Sequence, residues 1–164
     1  MDTLELQSVT SLGDANNKVA IAEYVEFFVN GTPLSDQINE IIKPKNPVLS
    51  NYTSVLGTME LTNFDRLKIQ QLLSKKVGPK KLEELFPAEH FDQKVIADEL
   101  SLDKVLIYCC AECGDYKCGG FFVKISETPD TISWSLNHSG KNMEFTFNRS
   151  EYQAELNGYL SELE

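Results

Sequence analysis

VLIYCCAECGDYKCGGFFVKI, residues 105–125, holds all four cysteines of the chain within ten residues, between two runs of strand-forming side chains. Its period is two. Val105, Ile107 and Cys109 fall on one face and Leu106, Tyr108 and Cys110 on the other, as a half-buried or buried strand requires. Past the glycines, Phe121, Val123 and Ile125 alternate with Phe122, Lys124 and Ser126. The segment therefore predicts two strands joined by a connection rich in turn formers. Downstream the pattern continues. Ile132, Trp134 and Leu136 alternate with Thr131, Ser133 and Ser135, and Met143, Phe145 and Phe147 with Glu144 and Thr146. Short connections make these four runs an antiparallel meander. Ser150-Glu151-Tyr152-Gln153 then has the form of a capping box, opening a helix with Tyr152, Leu156, Tyr159, Leu160 and Leu163 on one side.

Upstream, Leu4 and Leu6 suggest a short first strand. Lys18 to Val29 reads as a second strand with apolar residues on both faces, which argues for a central position. One face carries Ala20, Ala22, Tyr24, Glu26 and Phe28. The Asn30-Gly31 dipeptide ends it in a turn. Pro33 can open a helix marked by Leu34, Ile38, Ile41 and Ile42, which Pro44 must stop. Residues 44–57 read as a long irregular connection, hence a candidate functional loop, and Thr58–Thr62 as a short strand. Helical spacing recurs over Asp65–Lys76, with Asn63 or Asp65 as cap and Lys68 among the polar residues around the stripe. It recurs again over Lys80–Phe86 and Phe91–Leu100. The fold class expected is α+β, with helices packed on an antiparallel sheet that joins the C-terminal four-strand meander to the N-terminal strands, in a single domain over residues 1–164.

Charge is unevenly spread. The chain carries 25 acids and 15 bases for a net charge of −10; residues 1–42 sum to −6, residues 43–81 to +6 and residues 82–164 to −10. An acidic surface disfavours nucleic acid and favours a basic protein partner through electrostatic steering. Lys75-Lys76-Val77-Gly78-Pro79-Lys80-Lys81 is the one basic cluster, and it lacks the interleaved aromatics of a nucleic-acid surface. No apolar run reaches the ~18–20 residues of a membrane span. The N-terminal MDTLELQ does not read as a secretory signal. Cysteines without an export signal point to a reducing compartment, so the expected location is cytoplasmic.

The cysteines admit three readings. Cys110, Cys113 and Cys118 have spacing that lets thiolates converge on a tetrahedral zinc, with Cys109, Asp115, His138 or His90 as the fourth ligand. A redox Cys-x2-Cys pair needs a helix N-terminus to lower a thiol pKa, and here the cysteines follow a strand. The plainest reading makes Cys109 a small core residue and Cys113-Gly114-Asp115-Tyr116 a tight turn.

Tyr108-x-Cys110-x2-Cys113-Gly114-Asp115-x2-Cys118-Gly119, followed by Thr131-x-Ser133-Trp134 and by Phe145-x-Phe147-Asn148 and Tyr152, resembles a pattern found in small uncharacterised bacterial proteins. The resemblance covers the last third of the chain and extends to Asn30-Gly31 and Val55-Leu56-Gly57. It implies a bacterial cytosolic protein and carries no catalytic role; Cys109, Lys117 and Gly120 stand outside the pattern.

The chain has no Gly-x-Ser-x-Gly elbow, phosphate-binding glycine loop or His-Glu-x2-His motif. His90 and His138 read as a surface residue and a turn residue, Glu83 and Glu84 as a solvated face, and Trp134 as core. The expected function is that of a non-enzymatic acidic binding protein with no cofactor, similar in type to immunity proteins that neutralise a basic toxin. The alternative is a structural zinc module built on Cys110, Cys113 and Cys118.

Overall fold

The computed structural model describes residues 1–11, 22–45, 48, 52–56, 62–86, 93–110 and 120–163. Alternating apolar side chains at the N-terminal end make a three-stranded antiparallel sheet, ordered β1 (Leu4–Ser11), β2 (Ala22–Val29) and β3 (Thr32–Pro33). β2 is its central strand, as its two apolar faces demand. Phe27 and Val29 are fully buried, with Tyr24 and Glu26 nearly so. Asn30 and Gly31 take φ values of 56° and 78°, the paired left-handed positions of a tight hairpin turn that only such residues accept cheaply. Pro33 then caps α1 (Leu34–Ile41), which ends ahead of Pro44 and buries Leu34, Ser35 and Ile38.

Three helices fill the middle of the chain: α2 (Thr62–Leu72), α3 (Pro79–Leu85) and α4 (Gln93–Leu100). α2 starts before both expected caps. It also stops short of Lys76, because Ser74 turns left-handed at φ 58° and the Lys75 amide returns to the Gln70 carbonyl. Thr62, expected to close a strand, instead opens this helix, and the remainder of that expected strand lies outside the described residues.

The second sheet is five-stranded and antiparallel throughout, ordered β4 (Tyr52–Ser54), β5 (Val105–Cys110), β6 (Gly120–Glu127), β7 (Thr131–His138) and β8 (Lys141–Asn148). The meander read from the sequence is therefore present, but the N-terminal strands form a sheet of their own. A short strand from the stretch expected to be irregular, β4, extends the meander instead. A register shift between Leu106 and Tyr108 also breaks the simple alternation of β5. Val105 pairs with Val123, Tyr108 with Phe121 and Cys109 with Gly120. Gly120 is required there, because a Cβ would lie 2.6 Å from both the Leu106 Cδ1 and the Tyr108 carbonyl oxygen, and the backbone oxygen has nowhere to go.

The chain closes with α5 (Arg149–Glu162). Its cap is Asn148, two residues before the expected Ser150: the Asn148 Oδ1 accepts the Glu151 amide at 3.0 Å. Among the described residues, hydrogen bonds to the backbone tie the two sheets at two places. Asp2 bridges to Phe147, with its amide donating to Thr146 O and its Oδ2 accepting from Thr146 N, both at 2.8 Å. The Val25 amide donates to Leu56 O at 3.2 Å.

Between them Trp134 is the hub, fully buried, meeting Phe27, Phe147 and Tyr152 edge-on at centroid distances of 5.8, 5.3 and 6.1 Å. Such contacts add about 0.5–1.5 kcal/mol each beyond the area they bury. The Trp134 indole N–H donates to the Tyr152 hydroxyl at 3.0 Å, which in turn donates to the Leu72 carbonyl at 2.7 Å, so β7, α5 and the end of α2 share one satisfied polar chain inside the core.

Candidate functional site

β5 is buried along its length, from Leu106 through Cys109. Two ionisable side chains are buried beside it, served by its neighbouring residues Tyr108 and Cys109. The first is Glu26, on β2, only 1% exposed. The Tyr108 hydroxyl donates to Glu26 Oε1, which also accepts the Phe27 amide at 2.7 Å. Burial pushes the Glu26 carboxyl above its ordinary range, against the pull of the Tyr108, Ser35 and Phe27 donors. The Ser35 hydroxyl is close enough to favour the charged form. Yet neither it nor Glu26 Oε2 has a partner in hydrogen-bonding geometry among the described residues. The same burial, with Glu26 alongside, raises the Tyr108 phenol well above its usual value. Among the described residues, Glu26 is in no ion pair.

The second is Lys68, on α2, fully buried over the Phe64 ring at 5.0 Å and in ion-pair contact with Glu99 of α4. Burial lowers its amine toward about 7, with Cys109 acting weakly in the opposite direction. The Glu99 carboxylate in contact favours the charged amine, in opposition to burial. Lys68 is thus not the stripe-flanking residue expected. Four residues from both Phe64 and Leu72, it lies on the buried side of the helix, a helical-spacing signal that its charge obscured. Glu26 had a similar signal, an acid on an otherwise apolar face of a central strand. Both groups are sealed from solvent.

Of the residues expected to ligate metal, Cys113 and Cys118 lie outside the described residues, as does the side chain of Cys110. The backbone of Cys110 pairs with Tyr52, so the strand continues through both Cys109 and Cys110. Cys109 is a buried thiol among core residues. Among the described residues, no three His, Cys, Asp or Glu side chains come together as a metal site. His138 ends β7 rather than forming the turn, its ring 4.6 Å from that of Phe121. His90, Asp115 and the 111–119 connection lie outside the described residues. Glu83 and Glu84 are exposed, as expected.

On the surface, a cleft of about 220 Å3 lies between β1, the end of β8 and the start of α5. Asp2, Glu5, Glu151 and Glu155 line it, with no lysine or arginine among its described lining residues. Two of these carboxylates are held in place. Asp2 accepts from Thr146 N and from Asn30 Nδ2, both at 2.8 Å, and Glu155 Oε1 accepts the Leu6 amide at 2.8 Å. No described helix is long and apolar enough to cross a membrane. Searches for known relatives match nothing: no family model fits the chain, and no curated protein or solved structure is detectably similar to it.

Proposed function

We propose that the chain is a non-enzymatic, acidic binding protein that engages a basic protein partner, in the manner of a cytoplasmic immunity protein neutralising a toxin. The cleft between β1 and α5 carries this reading. It presents four carboxylates of one sign, and hydrogen bonds to the backbone of β8 and β1 hold two of them in fixed positions. Preorganised like charge gives a partner of opposite sign its orientation and a fast encounter. The sealed placement of Glu26 and Lys68 fits the same reading, since it assigns the buried ionisable groups to the core.

A lysine-rich peptide titrated into the 15N-labelled protein tests this. The expected result is amide shifts concentrated on Asp2, Glu5 and Glu151, an association rate falling steeply with salt, and binding roughly tenfold weaker in Glu5→Gln/Glu151→Gln. A salt-independent on-rate, or shifts spread evenly over the surface, would count against it.

The second reading, structural zinc held by Cys110, Cys113 and Cys118, has one placement in its favour. The His138 ring lies tilted against that of Phe121, next to Gly120 where β6 begins, so an imidazole stands beside the end of the sheet that the cysteine segment leaves and rejoins. Elemental analysis of protein purified without added zinc decides it; stoichiometric zinc is the expected result, and its loss in Cys113→Ser the confirmation.

A further inference from the structure

We propose that a groove at the carbonyl ends of α2 and α4 is a binding site for a small anionic amphiphile of the acyl- or aryl-carboxylate class. The groove, of about 460 Å3, is built from the segment after α2, the α4–β5 connection and one residue of β6. That size falls in the ~300–1,000 Å3 range of small-molecule pockets. Its floor is apolar. Val77, Leu100, Val105 and Ile125 are only partly buried there, and Leu102 is 42% exposed, one of three large hydrophobic residues left exposed among the described residues.

Its rim is basic. Lys75, Lys76 and Lys104 line it with exposed side chains, and none of the three forms an ion pair among the described residues. Asp103 is the single acid among the described lining residues, and it faces Lys124 at 3.9 Å.

In a chain of net charge −10, three lysines around an apolar floor form a local inversion of sign. An apolar body displaces water from the floor while its anionic head meets the lysines; a neutral or cationic amphiphile gains only the first. Lys75 and Lys76 also stand beyond the carbonyl end of α2, where positive charge offsets the helix dipole. Any test therefore has to separate ligand binding from stability. The site is independent of the acidic cleft, and either can fail without the other.

The experiment titrates octanoate, octanol and octylammonium separately into the labelled protein and follows amide shifts. Octanoate is expected to move the amides of Val77, Leu102, Val105 and Ile125 and to bind roughly tenfold tighter than octanol, with octylammonium weakest. In Lys75→Gln/Lys76→Gln, octanoate should fall to the level of octanol while octanol is unchanged. Lys104→Gln should show the same trend more weakly, and Tm is measured for each variant so that unfolding is not mistaken for lost affinity. Equal binding of octanoate and octanol, shifts centred elsewhere, or an acidic peptide that binds where octanoate does not, overturns the proposal.

Discussion

Glu26 and Lys68 are both buried beside β5, yet the core treats them differently. Among the described residues Glu26 has hydrogen-bond donors and no ion pair, so burial wins and its carboxyl is held toward the neutral form. Lys68 has a carboxylate in contact, which favours its charged form against the burial that lowers its amine to about 7. A buried acid can thus be kept by donors alone, whereas a buried amine, which accepts nothing while charged, needs an anion.

The largest effect expected from this contrast is at the ion pair. Lys68→Met leaves Glu99 buried without its cation and Glu99→Leu leaves Lys68 buried without its anion, each costing about 3–5 kcal/mol. The double variant should return close to the parent or exceed it, because an apolar pair of similar volume carries no desolvation penalty. Urea unfolding of all four proteins checks this; singles costing under about 1 kcal/mol would break the comparison.

At the other site the losses are smaller. Glu26→Leu strands the Tyr108 hydroxyl inside the core and is expected to cost about 1–3 kcal/mol, whereas Glu26→Gln, close to the neutral form in shape and charge, should cost less than Glu26→Leu. The same unfolding midpoints decide between them, and a Glu26→Gln variant as damaged as Glu26→Leu would mean that the carboxylate is charged after all.

The two groups also give opposite pH dependences. The folded-state pKa of Glu26 lies above its ordinary 4.5, so the folded protein holds a proton that the unfolded chain has lost in that window. Its contribution is therefore fully present below 4.5 and is lost as pH rises through the raised value. Lys68 is lowered from 10.5 toward about 7, so between those values the unfolded chain holds the extra proton. Stability from this group rises with pH across that window and is lost as pH falls through about 7. Unfolding free energies measured from pH 4 to 10 should lose the first slope in Glu26→Gln and the second in Lys68→Met.

The smallest effect expected is at a surface feature that neither group touches. Asn148→Ala removes the side-chain acceptor for the Glu151 amide and should cost about 1 kcal/mol, with no change in either pH slope.

Much of the meander was legible because each of its strands obeys a period of two: Ile132, Trp134 and Leu136 in one, Met143, Phe145 and Phe147 in the next. The Asn30-Gly31 turn was equally plain, since few dipeptides accept two left-handed residues. What the pattern misplaced were features set by one hydrogen bond or one contact. The cap fell at Asn148 instead of Ser150 because the Asn148 side chain accepts the Glu151 amide. The β5 shift between Leu106 and Tyr108 left no mark in hydropathy, because every residue of that strand is apolar enough to fit either face. β4 was invisible because Tyr52–Ser54 is three residues long and gains its strand character only by pairing with β5.

Sequence alone determined the α+β class, the order of the C-terminal strands, the role of Trp134 as core and the strong negative balance of the surface. All of these follow from local periodicity and counting. Only the tertiary structure decided that the N-terminal strands make a separate sheet, that Glu26 and Lys68 are core residues, and that four carboxylates and three lysines gather at two different clefts. Charge is local in sequence, but whether it is buried, paired or clustered depends on what the fold brings beside it, often from far along the chain.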